Sequence, residues 1–385
     1  MASPSATSEP VLVINCGSSS LKFALIDPTT ADQLEHGLIE RVSNHTQALD
    51  AVLEKLGARS LAAVGHRVVH GGEYFRNSAL LDDAALAKLR ECTPLAPLHN
   101  PANLLGIEAA RERFPDLPHV AVFDTAFHQT LPQRAFMYAL PYELYEQHRV
   151  RRYGFHGTSH AYVSQIAAER LGKPAKDLQL VTAHLGNGCS CTAVKGGQSV
   201  DTSMGLTPLE GLVMGTRSGD VDPGLHGFLA DHLGLGLDAI TELLNRKSGL
   251  LGLSGRSNDM RNLLEARSQG DARATLAIDV FCHRLAKTIL ALCASLDRID
   301  ALIFTGGIGE HAAPIRAATL ALLPVLGAAL DSDLNAQHGE QSGGRITRPD
   351  SRLLALVVPT NEELVIAREA VRVAAEARGE RAPNT

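Results

Sequence analysis

Val11-Leu-Val-Ile-Asn-Cys-Gly-Ser-Ser-Ser-Leu-Lys-Phe23 reads as a strand, a tight turn and a second strand. The apolar run from Val11 to Ile14 ends in Asn15. Gly17-Ser18-Ser19-Ser20 then turns the chain, and Lys22 opens a second apolar run from Phe23 to Ile26. Gly17 lets backbone approach a ligand closely. The serine hydroxyls and the N–H groups of the turn can surround an anion, and Lys22 supplies a point charge. The unit is suited to holding phosphate; its plainer alternative is an ordinary polar hairpin turn.

Outward from this stretch the same device recurs. Strand-to-glycine turns stand at Ile14-Asn-Cys-Gly17, Ala183-His-Leu-Gly-Asn-Gly188 and Ile303-Phe-Thr-Gly-Gly-Ile-Gly309. The first two each lead into another strand-like run, so the chain echoes itself. Two similar halves, each with a phosphate turn, would place a nucleotide between them. Strands are expected near 11–15, 21–27, 61–69, 119–124, 179–185, 191–195, 301–305 and 353–359, and helices at 82–91, 102–113, 157–171, 271–296 and 361–378. This alternation predicts an α/β architecture. Leu276, Val280, Leu285, Ile289 and Leu292 recur at near-helical spacing, which predicts a buried central helix. Asn361 is placed to cap the last helix, with Glu362 and Glu363 in its first turn. The expected hinge follows Val122-Phe-Asp-Thr-Ala126.

The chain has 385 residues, long for one core, so two domains are the default. A net charge of -6 argues against nonspecific binding to nucleic acid or acidic membranes. No apolar run reaches membrane-spanning length. The start, Met1 to Pro10, has neither the basic segment nor the apolar centre of a secretory signal, and reads as a short disordered tail. The six cysteines, Cys16, Cys92, Cys189, Cys191, Cys282 and Cys293, form no CxxC pair, which suits free thiols in a reducing cytosol.

Two arginines stand among small residues, Arg217 in Val213-Met-Gly-Thr-Arg-Ser-Gly-Asp220 and Arg67 in Gly65-His-Arg-Val-Val-His-Gly-Gly72. A planar guanidinium suits a two-point grip on carboxylate or phosphate. His156 and His160 are four apart, as are Asp124 and His128, a spacing that can ligate a metal on a helix. Neither pair has the HExxH pattern, so zinc is the weaker reading. No Gly-x4-Gly-Lys-Ser/Thr is present, which excludes a P-loop NTPase. Gly234-Leu-Gly-Leu-Asp-Ala239 has no preceding strand and fits a dinucleotide fingerprint only by chance.

These residues together resemble the acetate kinase family along almost the whole chain. The matching segments are Asn15–Lys22, Gly65–Glu73, Pro94–Pro101, Phe123–His128, Arg152–His160, His184–Gly188, Asp201–Gly224, Ser254–Arg261, Thr305–Glu310 and Thr360–Ala367. The resemblance implies two ribonuclease-H-like domains with a nucleotide cleft between them, the fold of actin, heat-shock chaperones and hexokinase. Residues 1–125 with the returning helix 361–385 would form one domain, and 126–360 the other. It implies reversible, magnesium-dependent transfer of a phosphoryl group from ATP to acetate, giving acetyl phosphate and ADP, with Mn2+ as a substitute metal. It also implies a cytoplasmic homodimer, with a product that can enter acetyl-CoA biosynthesis.

Carried over residue by residue, Asp124, Arg217, His156 and Arg67 are the catalytic candidates. Val69, Leu98, Phe155 and Pro208 with Arg67 would hold the acid. Lys22, Ser18, Ser20, His184, Leu185, Gly186, Asn187, Gly188, Asp259, Met260, Arg261, Gly307, Ile308, Gly309, Glu310 and His311 would meet the nucleotide, and Asn15 and Glu362 the metal. Acetate is already ionised at neutral pH, so Asp124 suits orienting an arginine or the metal's water better than taking a proton. A small apolar pocket separates acetate from propionate by only about 1–3 kcal/mol, so propionate kinase is the near rival.

Three departures stand out. His311 follows Glu310 where an asparagine is usual, Arg256 stands where an apolar residue is common, and 42–60 looks short. The other rivals are a hydroxyl-acceptor kinase, which needs an acidic base in a polar pocket, and a chaperone-like binding module, which needs a domain after Thr360. A metallohydrolase built on His156 and His160 is the fourth.

Overall fold

The computed structural model describes residues 9–17, 20–40, 45–56 and 59–380. Ser18, the first eight residues of the expected tail and part of the short 42–60 segment lie outside that set. The chain divides into two compact units, residues 1–129 with 361–385, and residues 130–360. The division falls after Gln129, not at the expected hinge, because the Gln129 amide donates to the Gly72 carbonyl at 3.0 Å and keeps 126–129 with the first unit.

The first unit is built on a six-stranded sheet of β1 (Val11–Cys16), β2 (Ser20–Ile26), β3 (Gln33–Glu40), β4 (Ala63–Val68), β5 (Ala79–Leu80) and β6 (His119–Phe123), in the order β3-β2-β1-β4-β6-β5. β1, β2 and β3 form an antiparallel meander, and β4 and β6 add in parallel. Strand alternation sends Leu12, Ile14 and Cys16 to one face and Val11 and Val13 to the other. The helices His45–Leu56 and Asn100–Arg113 cover the first face. The C-terminal helix Glu362–Ala377 covers the second with Leu364, Ile366, Ala367, Ala370 and Val373. Burial on both faces is why β1 reads as an unbroken apolar run.

β3 escapes the sequence reading because it is a polar edge strand with no apolar run. The Phe23 ring lies over its register partner Gly37 there, within 2.6 Å of where a Cβ would stand. The aromatic side chain fills the gap that a strand glycine leaves.

The second unit carries β7 (Gln179–Leu185), β8 (Cys189–Lys195), β9 (Gln198–Thr202), β10 (Ala301–Thr305) and β11 (Ala355–Val357), ordered β11-β10-β7-β8-β9. Here too the first three strands form an antiparallel meander and two later strands add in parallel beside the first. Both sheets therefore share the ribonuclease-H-like order. The last strand is shorter than the expected 353–359.

The long helix Ala272–Cys293 is amphipathic rather than buried all round. Ala274, Ile278, Phe281, Leu285, Ile289 and Leu292 face inward, while Leu276 is 54% exposed. Leu276 lies off the stripe that Leu285, Ile289 and Leu292 define, which corrects its placement in the core. All six cysteines are free thiols. Cys189 and Cys191 are both buried on β8, and burial pushes the Cys189 thiol up to about 12.

Candidate functional site

In the first unit the parallel strands β1, β4 and β6 deliver their C-terminal ends to one sheet edge, the usual place for ligands in such sheets. Asn15 stands near the end of β1, Arg67 on β4, and Asp124 just after β6. Arg67 Nε donates to Asp124 Oδ1 at 3.0 Å, and Nη2 to Oδ2 at 2.7 Å. Glu362, at the start of the C-terminal helix, brings Oε2 within 4.0 Å of Arg67 Nε. Glu363 accepts from Lys22 Nζ at 2.5 Å. Asn361 caps this helix, its Oδ1 accepting from Leu364 N–H at 3.0 Å.

Burial pushes the Glu362 carboxyl above its ordinary value; Arg67 opposes that rise, and Asp124 and Glu363 add to it. Burial also acts to raise Glu363, but the Lys22 hydrogen bond and charge outweigh it and hold that carboxyl low. Asp124 foremost raises Arg67 above its ordinary value, so the guanidinium is firmly charged. Lys22, expected at a phosphate, is paired with Glu363.

The helix Asn100–Arg113 fixes this edge through two asparagines that the sequence reading missed. Asn103 Oδ1 accepts from Val69 N–H at 3.0 Å, and its Nδ2 donates to the Cys16 carbonyl at 2.7 Å. Asn100 exchanges hydrogen bonds with both backbone groups of His70. The signal was His99-Asn-Pro-Ala-Asn103, two amides flanking a helix-start proline. Of the acid-pocket candidates, Val69 and Leu98 belong to this unit, and Leu98 is 55% exposed. Phe155, fully buried, and half-buried Pro208 belong to the second unit.

In the second unit a cleft of about 540 Å³ opens against the turn after β7. Gly186, Asn187, Asp259, Met260, Arg261, Gly307, Ile308 and His311 line it, eight of the expected nucleotide positions brought together. Asn258, Leu264, Ala312 and Pro314 complete it and were missed. Asn258 Nδ2 donates to Asn187 Oδ1 at 3.0 Å and ties the two walls. Asp259 caps the helix Met260–Ser268 through Arg261 N–H and holds the Arg261 side chain at 2.7 Å; those hydrogen bonds keep its carboxyl below the ordinary value.

Other expected nucleotide residues do not line this cleft. Leu185 is fully buried and Gly309 is buried within the short helix Gly306–His311. The Glu310 carboxylate is occupied by its own chain, Oε1 accepting from Gly306 N–H at 2.9 Å and Thr360 N–H at 3.1 Å. Ser20 and Lys22 belong to the first unit.

Beside the cleft, Arg217 Nη1 donates to the Pro208 carbonyl at 2.6 Å, and burial draws its guanidinium below the ordinary value. A Cβ at Gly188 would stand 2.8 Å from Arg217 Nη2 and 3.2 Å from His156 Nε2. The glycine lets a cation and an imidazole converge on one turn. The His156 and His184 ring centroids are 4.6 Å apart, and His184 Nδ1 meets Ser159 Oγ at 2.8 Å.

The zinc reading of His156 and His160, the weaker one in the sequence, gains no support from their partners. His156 Nδ1 and His160 Nε2 both meet Ser190 Oγ, and His160 Nδ1 meets Thr182, so His160 has no ring nitrogen left for a metal. Asp124 is gripped by Arg67, and His128 is fully buried. Among the described residues no group of three or more His, Cys, Asp or Glu side chains could hold a metal ion.

Two ribonuclease-H-like sheets, an arginine–carboxylate cluster in one unit and a glycine-walled cleft in the other, define a phosphotransferase. The Acetokinase family model matches residues 10–57 and 42–368. A protein called acetate kinase from Ectopseudomonas mendocina is 56% identical over 93% of this chain and 97% of its own length. The crystal structure of Porphyromonas gingivalis acetate kinase superimposes with a TM-score of 0.90 at 42% identity, over 95% of this chain and all of that one. A propionate kinase from Francisella tularensis follows the same fold, with a TM-score of 0.88 at 46% identity over 94% and 98%. The chain belongs to the acetokinase family.

Proposed function

We propose that this chain is an acetate kinase, moving a phosphoryl group reversibly between ATP and acetate. The observation that carries this reading is the likeness, over nearly the full length, to a protein of that name at 56% identity. Phosphoryl transfer needs alignment and charge neutralisation more than covalent help. Arg67 and Arg217 would grip the carboxylate and the equatorial oxygens in transit, with His156 donating to the same oxygens. Asp124 holds the planar Arg67 fork in one orientation. The cleft of Asn187, Asp259, Arg261, Gly307 and His311 would take the nucleotide; Val69 and Leu98 in the first unit, and Phe155 and Pro208 in the second, are the candidates for the acid's methyl group.

Asn15 and Glu362 would hold Mg2+, or Mn2+ in its place. The fit is chemical: both offer oxygen donors, and Mg2+ is usually held by one or two carboxylates plus substrate phosphates and water. Asp124, Glu362 and Glu363 also outnumber Arg67 and Lys22 here, and Glu362 shares Arg67 with Asp124, which holds it more closely. When bound, the metal neutralises phosphate charge. The same reading carries a cytoplasmic homodimer. No helix among the described residues is long and apolar enough to cross a membrane.

Acyl phosphate trapped with hydroxylamine, from ATP, Mg2+ and acetate, propionate or butyrate in parallel, tests the reading. Highest activity with acetate is expected. Highest activity with propionate keeps the mechanism and moves the name toward the Francisella relative; no acyl phosphate with any acid overturns the proposal.

A further inference from the structure

Ser190 lies on β8, wholly buried between two histidine rings. Its Oγ is 2.8 Å from His156 Nδ1 and 2.8 Å from His160 Nε2. His160 Nδ1 is 2.7 Å from Thr182 Oγ1, and the Thr182 hydroxyl donates to the Thr192 carbonyl at 3.4 Å. Thr182 and Thr192 face each other in the β7–β8 ladder. The result is one chain of hydrogen bonds, and its far end is a carbonyl.

That end gives the chain a direction. A carbonyl only accepts, so it takes the Thr182 hydrogen, and Thr182 Oγ1 accepts from His160 Nδ1–H. Full burial disfavours charge on the His160 ring. A neutral ring with hydrogen on Nδ1 presents Nε2 as an acceptor. Ser190 has a single hydrogen and gives it there. Its oxygen is then the acceptor for Nδ1–H of His156.

We infer that Ser190, backed by His160 and Thr182, is a positioning residue that keeps the hydrogen of neutral His156 on Nδ1. The inference rests on the role proposed for His156. With Nδ1 committed, Nε2 is the atom beside Gly188 and Arg217, and it donates to a phosphoryl oxygen only when the ring is an imidazolium. In its proposed role as a donor His156 would therefore meet the transferring group as an imidazolium, a second cation next to Arg217. The ionisable groups around this ring are Arg217 at the Gly188 turn, His184 at 4.6 Å between centroids, and His160 across Ser190.

The test is the ring-nitrogen NMR spectrum of the full chain labelled with 15N-histidine, above the histidine titration range, with His156 assigned by its loss in His156→Gln. Hydrogen on Nδ1 and none on Nε2 is expected; hydrogen on Nε2 overturns the inference. Ser190→Ala should release the hydrogen to either nitrogen and free the ring to turn out of its place beside Gly188 and Arg217, lowering kcat about 10- to 100-fold with KM for ATP nearly unchanged. Thr182→Val, which leaves Ser190 in place, should show the same release if Ser190→Ala does not fold. A wild-type kcat in both variants overturns the positioning role. The spectrum does not depend on acetate turnover, so it judges the hydrogen-bond chain even if the proposed activity fails.

Discussion

Arg67 and Asp124 meet in a two-point hydrogen bond, Nε to Oδ1 at 3.0 Å and Nη2 to Oδ2 at 2.7 Å. Both carboxylate oxygens accept from the guanidinium, which suits Asp124 to the proposed role of a brace better than to that of a base. Asp124→Asn replaces an acceptor by an amide that opposes Nη2 and lets the guanidinium tilt. The expected result is a fall in kcat of about 10²-fold or more, the scale for a misplaced donor to developing charge. Steady-state kinetics of acyl phosphate formation measure it. A kcat that recovers in proportion to hydroxide would instead mark Asp124 as a base.

Arg217 differs in having a carbonyl partner, Pro208, and no carboxylate among its hydrogen bonds. Among the described residues no carboxylate is paired with it, which suits a group reserved for an anion. Arg217→Ala should lower turnover by roughly 10³-fold, in line with other arginines at transferring phosphoryl groups. ATP affinity, read by calorimetry, should stay nearly unchanged because Arg217 does not line the cleft proposed for the nucleotide.

How much of this was legible in the sequence differs from place to place. The glycine turns after β1, β7 and β10 stood out because glycine and strand-type runs punctuate a chain strongly. β3 did not, since an edge strand with polar outer positions carries no apolar signal. The engagement of Glu310 with its own backbone was not legible for a local reason: a carboxylate at the end of one helical turn can fold back on that turn's own N–H groups, and spacing does not reveal it. Arg256 looked like a departure at the nucleotide. It pairs with Asp271 at 3.0 Å, the residue that caps the helix Ala272–Cys293, so a distant segment accounts for it.

Glu362→Gln should raise the Mg2+ concentration needed for half-maximal activity at least several-fold and leave the fold intact. The carboxylate is already raised by burial, and Arg67 at 4.0 Å only partly offsets that. A neutral amide is tolerated there in the free protein but contributes less to a divalent cation. Metal titration of the initial rate, with thermal unfolding as the control, gives both readings. An unchanged metal requirement would remove Glu362 from the proposed metal site.

His66 and His119 form a buried pair, Nε2 to Nδ1 at 3.0 Å, away from the arginine cluster. Burial holds His66 well below the ordinary value, with His119 adding to it. Burial lowers His119 as well, against its hydrogen bond to the Phe114 carbonyl, and Arg111 lowers it further. The unfolded chain therefore binds more protons than the folded one below about 6.5, and stability falls as pH drops through that range. Each tenfold difference in proton affinity is worth about 1.4 kcal/mol. His66→Phe keeps the ring stack and removes one titrating group. Its unfolding midpoint should lose less between pH 7 and the acid side than that of the wild type.

Gly65 sits on β4 under the C-terminal helix. A Cβ there would stand 2.6 Å from Ile366 Cγ2 and 3.3 Å from the Ile366 carbonyl oxygen. The side-chain contact can be relieved by a rotamer change, but the carbonyl belongs to a helix and moves only with it. Gly65→Ala should cost about 1–3 kcal/mol, the usual penalty for overpacking a fitted core. The displaced element carries Glu362, so the metal requirement should rise together with the loss of stability. Ile366→Ala alone leaves a cavity and costs about 2–5 kcal/mol. In the double variant the new methyl occupies part of that cavity, so the two costs should sum to more than the measured loss. Denaturant unfolding of the four proteins gives the coupling. Strict additivity would mean that the helix does not rest on Gly65 in solution.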